Sequence, residues 1–297
     1  IKYKVHKCMY TPQKWHIEPT SRCTLECPGC DRTWFKKTFK KSLIHDLDVD
    51  EIINFFLDNK FTNQHITLCG NNGDPIYHPK FIYLVQALKA IGSTLHIHTN
   101  GSAKTPKFWK ELCTFLSAKD KITFAIDGLP SNNHVYRINS NWKQVEQAIK
   151  ITSQSYVQTC WQYIVFKYNQ DQIQEAEQLS KTLGIDEFRI LNSHRWQDDS
   201  VQGYMPDEKY TTKQHEGQNM QPDCIKEKEI YIDAEGFLYP CCYTAAQRTK
   251  RKTVFFKNRL HITDKNFAFL PCHTQFIENA QDYKTADQVC KTHCSKL

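Results

Sequence analysis

The sequence has no long apolar run and no recognisable targeting signal. No stretch of the 297 residues approaches the roughly 18 uninterrupted apolar residues that a membrane-spanning helix needs, and no signal peptide is visible. Internal repeats, low-complexity tracts and an aromatic-interleaved RNA-binding motif are also missing. We therefore expect neither a membrane span nor a repeat architecture.

The sequence is instead rich in cysteine, with thirteen residues of this type. Small secreted proteins are cysteine-rich because disulfides replace a core that they are too short to form. Here 297 residues, of which 40% are hydrophobic, are enough for a core. Most of the cysteines cluster towards the two ends of the chain. This distribution predicts metal sites in a reducing compartment and hence a cytoplasmic protein.

The net charge of +7 is modest, and basic clusters lie at Lys36-Lys37, Lys40-Lys41 and residues 248–252. Such clusters are usually solvated surface. Their functional interpretation is electrostatic steering of an anionic substrate or partner, nucleic acid included. Nucleic acid as a partner rests on these clusters alone.

Three cysteines lie close together near the start of the chain. Cys23, Cys27 and Cys30 are separated by three and then two residues and follow a predicted strand. Three thiolates can hold a four-iron cluster by three of its irons and leave the fourth iron open for another ligand. The alternatives are a zinc site, which would need a fourth Cys or His nearby, and ordinary buried thiols. The spacing favours an iron–sulfur site.

The first two thirds of the chain alternate between short apolar runs and segments of helical period. Strands are predicted over Lys14–Pro19, His65–Cys69, Thr94–Thr99, Lys121–Ile126, Val157–Phe166 and Glu187–Leu191. Helices are predicted over Asp50–Asn59, from Pro79, from near Pro106, and over Asn141–Ser153 and Asp171–Leu183. Six such units are two short of a closed eight-fold barrel. The predicted fold class is therefore α/β, an incomplete (β/α)6 TIM-like barrel.

Four groups of residues that can bind ligands directly follow predicted strands: Cys23–Cys30, Gly70–Pro75, Asn100 and Asp127. In barrels of this type, the loops after the strands form one face, and that face carries the active site. Each group taken singly has the alternative of a simple turn or helix cap. Together they predict one rim on which all four converge.

The last third of the chain differs from the rest. Residues 193–222 are polar and poorly periodic, which indicates a linker or a loop that covers the substrate. From Pro222 onward, six cysteines lie among hairpin and short-helix signals. The predicted organisation is a partial barrel over 1–192, the linker over 193–222 and a small cysteine-rich domain over 223–297.

These motifs, in this order, resemble the radical S-adenosylmethionine (radical SAM) enzymes over nearly the whole chain. Cys23, Cys27 and Cys30 match the cysteine triad of that family, with Gly29 where an aromatic residue often stands. The resemblance implies a 4Fe–4S cluster on the triad and S-adenosylmethionine at the open iron. It also implies an external electron donor such as flavodoxin or ferredoxin.

Further motifs match segments that contact S-adenosylmethionine in this family. Asn72-Gly73-Asp74-Pro75 stands where the family usually has Gly-Gly-Glu-Pro, and its backbone would receive the methionyl ammonium group. By the same resemblance, the strand ends at Asn100 and Asp127 lie near the ribose and the carboxylate, and Arg137 pairs with that carboxylate. The cofactor-binding residues so implied are Asn72, Gly73, Asp74, Pro75, Asn100, Asp127 and Arg137.

The C-terminal segment resembles the SPASM or twitch domain, which binds auxiliary iron–sulfur clusters. A hairpin about residues 234–236 would bring Cys224 and Cys241 together, and a helical turn would present two more cysteines on one side. The resemblance implies a second, auxiliary 4Fe–4S cluster whose ligands are Cys224, Cys241, Cys290 and Cys294. Cys242 is an alternative to Cys241, Cys272 is a further candidate, and zinc stays an alternative for the domain.

Several other residues have no assigned role in this scheme. Four thiols are interpreted as core or incidental residues: Cys8, Cys69, Cys113 and Cys160. His96 and His98 share one face of a predicted strand, as do Trp161 and Tyr163. Each pair would contact substrate if its face lined the barrel interior, and would otherwise be part of the core.

The sequence thus predicts a radical SAM oxidoreductase that cleaves S-adenosylmethionine reductively to a 5′-deoxyadenosyl radical and oxidises its substrate. Relatives with such C-terminal domains modify ribosomal peptides or oxidise small alcohols and amino-cyclitols. A peptide is the first choice of substrate, a small molecule the second, and RNA or a nucleotide the third. The alternative class is an iron–sulfur electron carrier or a zinc-bound interaction module, neither of which needs the glycine-containing loop at Asn72–Pro75.

Overall fold

The structure is a computed structural model that describes residues 12–193, 196, 199–211, 219–247, 260–264, 276 and 278–296. Cys8, Cys272 and the basic cluster at 248–252 lie outside the described residues. Within the described ranges, no helix is both long enough and apolar enough to cross a bilayer.

Nine strands of the described chain form one sheet in the order β10-β9-β8-β1-β2-β3-β4-β5-β6, and β7 pairs with β11 separately. The strands are β1 Lys14–Ile17, β2 His65–Leu68, β3 Thr94–Thr99, β4 Lys121–Ala125, β5 Gln158–Ile164, β6 Glu187–Leu191, β7 Asn219–Met220, β8 Glu229–Ile232, β9 Phe237–Tyr239, β10 Leu260–His261 and β11 Ser295–Lys296.

Most helices in the described part of the chain lie between successive strands. They are α1 Asp31–Phe39, α2 Val49–Asp58, α3 Phe81–Ala90, α4 Pro106–Phe115, α5 Trp142–Thr152, α6 Ile173–Thr182, α7 Asp199–Gln202, α8 Asp223–Lys226, α9 Cys242–Ala245 and α10 Gln288–Cys294.

The six predicted strands of the barrel and the five predicted helices between them are confirmed. Strands β1 to β6 pair in parallel, each with the next along the chain, and the predicted helices lie between them as α2 to α6. Their caps match the sequence signals: the Asp48 carboxylate accepts hydrogen bonds at the start of α2, and Pro106 stands in the first turn of α4.

Helix α1 was not predicted. Its sequence is dominated by polar and basic residues, and Thr33 is its one buried residue, so it lacks the apolar stripe that marks a helix against a core. The end signals were nevertheless present, with Asp31 in the first turn and Lys36 and Lys37 in the last.

The two faces of the parallel sheet differ in polarity. One face packs on the helices: Trp15 of β1 is fully buried and its ring contacts Phe55 of α2. The other face is polar, because the strand register places His16, Thr67 and His96 side by side on neighbouring strands. Parallel strands are usually apolar on both sides. Core packing therefore does not explain the polar side chains on this face.

Trp161 and Tyr163 belong to the core. Both side chains are fully buried, and their polar groups donate to main-chain carbonyls, Trp161 Nε1 to Ile126 O at 2.9 Å and Tyr163 Oη to Asn169 O at 2.8 Å. The core interpretation is therefore the right one for this pair.

The C-terminal hairpin continues the barrel sheet. β8 pairs in parallel with β1, with Lys14 opposite Glu229 and Ile17 opposite Ile232, and β9 then pairs antiparallel with β8. Gly236 in the turn has φ +84°, and a Cβ there would lie 2.5 Å from His261 Nε2. The predicted domain boundary at residue 222 stays a prediction, but the sheet runs across it.

Candidate active site

The loops after β1, β2 and β3 enclose a cavity of about 290 Å³. All three cysteines of the triad line it, together with residues 70–74, Asn100 and Arg137. The predicted convergence of strand-end residues is therefore seen for most of the set. Pro75 and Asp127 do not line the cavity.

The three cysteines lie in a tight loop that leads into helix α1. Cys30 is the residue before the helix, and its backbone N–H donates to Cys27 O at 3.1 Å. Burial raises the pKa of Cys27 to about 11, and burial together with the Asp74 carboxylate raises the pKa of Cys23 to about 12. Both thiols are thus protonated in the free protein, and metal binding would release their protons.

Nitrogen donors surround the cysteine sulfurs. Asn100 Nδ2 lies 3.6 Å from Cys23 Sγ, Leu25 N lies 3.4 Å from the same sulfur, and Arg137 Nη1 lies 4.0 Å from Cys27 Sγ. Donors of this kind stabilise thiolate ligands and tune a bound cluster.

Gly29 is explained by its neighbours. A Cβ at this position would lie 2.8 Å from Tyr136 Oη and 2.9 Å from Val201 Cγ1. Tyr136 stacks on Phe166 with ring centroids 4.1 Å apart. An aromatic ring from another part of the chain therefore occupies the space beside Gly29.

A buried carboxylate that the sequence reasoning missed holds the loop after β2. Glu18 follows β1, is 1% exposed, and its Oε1 accepts from Asn72 N at 2.6 Å and Gly73 N at 3.0 Å. Its Oε2 accepts from Asn72 Nδ2 and from Tyr231 Oη of β8, the latter at 2.8 Å. Burial raises the pKa of Glu18, while these hydrogen bonds act in the opposite direction. A charged residue directly before Pro19 at a strand end was the available signal.

The same loop is shaped by close backbone approaches. A Cβ on Gly73 would lie 1.8 Å from Thr20 O, and one on Gly70 would lie 2.5 Å from Glu18 Oε1. Asn72 Oδ1 is buried and has no hydrogen-bond partner in the part of the chain that the structure describes. The loop thus has a glycine-dependent shape and an unused acceptor.

Asp74 connects the loop after β2 to the end of β3. Its Oδ2 accepts from Asn100 N at 2.6 Å, Asn100 Nδ2 at 2.5 Å and Thr99 Oγ1 at 3.0 Å. Its Oδ1 accepts from Ile76 N, which starts a short 3₁₀ turn at Pro75. Burial raises the pKa of Asp74 to about 6. Asp74 positions Asn100, and a direct contact of either with cofactor stays a prediction.

Asp127 and Arg137 form a buried ion pair. Arg137 Nε donates to Asp127 Oδ2 at 2.6 Å, the Asp127 side chain is fully buried, and its Oδ1 accepts from Ile164 N at 2.9 Å. Burial alone would lower the pKa of Arg137, but the Asp127 carboxylate raises it, so the guanidinium stays charged. Asp127 is thus positioned to orient Arg137, whose Nη1 faces Cys27 at the cavity.

His98 lines the cavity, and its ring centroid lies 4.2 Å from that of His96. His96 Nε2 is 2.7 Å from Thr123 Oγ1. Burial lowers the pKa of His96 to about 4 and that of His98 well below its usual value. The two histidines are therefore neutral groups on the polar face of the sheet, and His98 is within reach of a bound molecule.

Four C-terminal cysteines lie within electrostatic range of one another. Cys224 is on α8, Cys241 precedes α9, and Cys290 and Cys294 are on α10. Burial raises the pKa of Cys224 strongly, and Cys241, Cys290 and Cys294 raise it further. Cys242, for its part, raises the pKa of Tyr231. The assignment of Cys241 as a ligand, with Cys242 as its alternative, stays a prediction.

No three His, Cys, Asp or Glu side chains in the described ranges are arranged to hold a single metal ion. A four-iron cluster makes a different demand, because each thiolate binds a different iron. Three thiols around a cavity and four in a second group are donor sets suited to such clusters.

A model of the Radical SAM superfamily matches residues 17–179, more than half of the chain. This chain belongs to the radical SAM superfamily. Membership implies a 4Fe–4S cluster and S-adenosylmethionine as cofactors. The cavity of this radical SAM protein fits both, since it has three thiols, a glycine-dependent loop and the unused acceptor of Asn72.

The chain is similar to a protein of Pyrococcus furiosus (strain ATCC 43587 / DSM 3638 / JCM 8422 / Vc1) described as a tungsten-containing aldehyde ferredoxin oxidoreductase cofactor-modifying protein. The two are 24% identical over 277 residues, which cover 90% of this chain and 72% of that protein. The similarity thus extends beyond the radical SAM segment into the C-terminal region.

Solved structures share the fold of this radical SAM protein. Streptococcus suis SuiB bound to S-adenosylmethionine superposes with a TM-score of 0.66 at 13% identity, covering 95% of this chain and 77% of SuiB. Native anSMEcpe with bound AdoMet and Kp18Cys peptide gives a TM-score of 0.62 at 16% identity, covering 96% of this chain and 91% of anSMEcpe. The TIM-like radical SAM fold predicted from the sequence is confirmed.

Proposed function

We propose that this protein cleaves S-adenosylmethionine reductively to a 5′-deoxyadenosyl radical and uses it to oxidise a peptide. The observation that carries the proposal is the convergence of Cys23, Cys27, Cys30, the Gly70–Asp74 loop and Arg137 on one cavity. When bound to the triad, the cluster supplies one electron to the sulfonium of S-adenosylmethionine. A flavodoxin or ferredoxin is the expected external donor.

The chain's own residues bind and orient the cofactor. The Glu18 carboxylate occupies the N–H groups of Asn72 and Gly73, which leaves the loop's acceptors available for the methionyl ammonium. Arg137, held by Asp127, supplies a fixed positive charge for the methionyl carboxylate. These contacts would place the sulfonium beside the triad.

Room for a substrate lies beside this cavity. A second cavity of about 270 Å³ shares Tyr136, Gln162 and Ile164 with the first and is also lined by residues 191–193, Trp196 and Val201. Helix α7 of that segment touches the cysteine loop, where Ser200 Oγ donates to Pro28 O at 3.1 Å. This supports the interpretation of residues 193–222 as a loop that covers the substrate. The peptide assignment is supported by the fold shared with anSMEcpe, which was solved with a peptide.

The second part of the proposal is an auxiliary 4Fe–4S cluster on Cys224, Cys241, Cys290 and Cys294. The mutual effect of these thiols on the pKa of Cys224 supports it. When bound, such a cluster supplies an acceptor for the electron that leaves the oxidised substrate, which makes the protein an oxidoreductase.

Oxidation of a small molecule is the second candidate. The relative from Pyrococcus furiosus is described as a cofactor-modifying protein, and a cofactor is a small-molecule substrate. Mass spectrometry with deuterated candidates distinguishes the two, since only the true substrate transfers deuterium to deoxyadenosine.

The proposal is tested by cleavage of S-adenosylmethionine. Anaerobically reconstituted protein with dithionite should form deoxyadenosine, and Cys27→Ala should abolish it because one ligand of the triad is lost. Cys113→Ala is the matched control, since Cys113 lies on α4 and does not line the cavity. No deoxyadenosine from protein with a full iron load would contradict the proposal.

A further inference from the structure

Two hydrogen bonds join the segment around helix α9 to the first cavity, one to the loop after β2 and one to the first residue of α1. Asn71 Nδ2 donates to Cys242 O at 2.7 Å, and Gln247 N donates to Asp31 Oδ2 at 2.9 Å. Asp31 directly follows Cys30, and Cys242 directly follows Cys241. The bond between Asn71 and Cys242 thus lies next to Cys241, a proposed ligand of the C-terminal group. The bond between Gln247 and Asp31 lies next to Cys30, a ligand of the triad.

Asn71 contacts both groups with different parts of the same residue. Its backbone oxygen lies 3.9 Å from Cys30 Sγ, and its backbone nitrogen lies 3.3 Å from Tyr231 Oη. The bond to Cys242 is made by its side chain. A substitution at Asn71 thus removes the bond to Cys242 O, and it keeps the two backbone contacts of Asn71 and the bond between Gln247 and Asp31.

We propose that Asn71 couples the two cysteine groups, so that a cluster bound by the C-terminal group changes the reduction potential of the cluster on Cys23, Cys27 and Cys30. This rests on the proposed function. Ligation of Cys241 fixes the start of α9, and the Asn71 side chain transmits that position to the carbonyl oxygen beside Cys30. Hydrogen bonds and dipoles next to the sulfurs are among the factors that set a cluster's potential.

A double-mutant cycle tests the coupling. Four proteins are reconstituted anaerobically: the unsubstituted chain, Asn71→Ala, the pair Cys224→Ala with Cys294→Ala, and the combination of all three changes. The potential of the first cluster is measured by a redox titration followed by electron paramagnetic resonance. Its signal is identified as the one lost when Cys23, Cys27 and Cys30 are replaced.

With Asn71 intact, loss of the C-terminal cluster should shift the reduction potential of the triad cluster by at least about 28 mV. At 59 mV per tenfold, this is about a threefold change in its one-electron equilibrium. In the Asn71→Ala background, the change should fall to less than half of that. Asn71→Asp keeps the shape of the side chain but cannot donate to Cys242, so it should behave like Asn71→Ala.

Gln158→Ala is the matched control. Gln158 Nε2 also donates to a main-chain oxygen, that of Ala118 at 3.0 Å, but it lies at the start of β5 and does not line the cavity. This variant should show the full change. The coupling is overturned if loss of the C-terminal cluster shifts the reduction potential of the triad cluster equally with and without the Asn71 side chain, or does not shift it in either case. An iron count of zero in the triad variant overturns the auxiliary cluster as well, so the two failures are distinguishable.

Discussion

At Gly73 the main chain leaves no space for a side chain. The atom that a Cβ would meet at 1.8 Å is the carbonyl oxygen of Thr20, with Ser21 Cα at 2.8 Å, and neither can move without shifting the cysteine loop. The glycine is therefore required by a backbone approach and not by its conformation, since its φ lies outside the left-handed range.

Gly73→Ala should separate the loop after β2 from the cysteine loop. We expect a loss of stability of about 3 kcal/mol, the upper end for forced packing, and at least about tenfold weaker binding of S-adenosylhomocysteine. Isothermal calorimetry and urea unfolding measure the two effects. Gly203→Ala is the control, because nothing lies within 4 Å of a Cβ there. Equal affinities of both variants would contradict the account.

In the buried Asp127–Arg137 pair, removal of one charge lowers the free energy of unfolding because the other charge is left without a partner. Asp127→Asn leaves the Arg137 guanidinium, whose side chain is 16% exposed, without its anionic partner. Loss of one member of a buried pair costs about 3–5 kcal/mol. Urea unfolding should show this loss, while Glu177→Gln in the exposed pair with Lys181 should show little. Similar losses in both variants would argue against a special role for burial.

At the scale of elements, β3 carries the clearest pH-dependent feature. The pKa of His96 is lowered by burial from its ordinary 6.5 to about 4 in the folded state. Between these values the unfolded chain binds a proton that the folded chain does not, so the free energy of unfolding falls as the pH falls. The contribution of neutral His96 to the free energy of unfolding is fully present above pH 6.5 and is lost as the pH falls towards 4.

His96→Gln should flatten that dependence. We expect the slope of the free energy of unfolding against pH to decrease by up to about 1.4 kcal/mol per unit below about pH 6.5. Urea unfolding of the cluster-free protein at about pH 7.5, 6.5 and 5.5 measures the slope. His65→Gln, at an exposed position on β2, is the control for loss of an imidazole. An unchanged slope in His96→Gln would contradict the assignment.

Elements were predictable to different degrees, for physical reasons. Strands Thr94–Thr99 and Glu187–Leu191 were predicted to the residue because local apolar pattern and turn residues define them. The parallel pairing of β8 with β1 joins residues far apart in sequence, and no local periodicity encodes such a pairing. For the same reason, the motifs led to Asn72 and Gly73 but not to Glu18, whose role depends on contacts with loops and with Tyr231.

At the scale of the whole molecule, the iron bound by each of the two cysteine groups can be measured separately. Replacement of Cys23, Cys27 and Cys30 by Ala should leave about four irons per chain, because a fully ligated cluster on the C-terminal group does not depend on the triad. Iron analysis after anaerobic reconstitution measures this. The complementary variant without the four C-terminal cysteines should also retain about four. A triad variant with no iron would mean that the C-terminal group holds no cluster.

The pairing of β8 with β1 also sets an order of assembly during synthesis. β1 can find β2 soon after both have left the ribosome, but its other neighbour begins at Glu229. Glu18 likewise obtains the Tyr231 hydroxyl only after that point. One edge of β1 and one hydrogen bond of the Glu18 carboxylate therefore remain unmade until residues 229–232 have been translated, which is more than three quarters of the way along the chain.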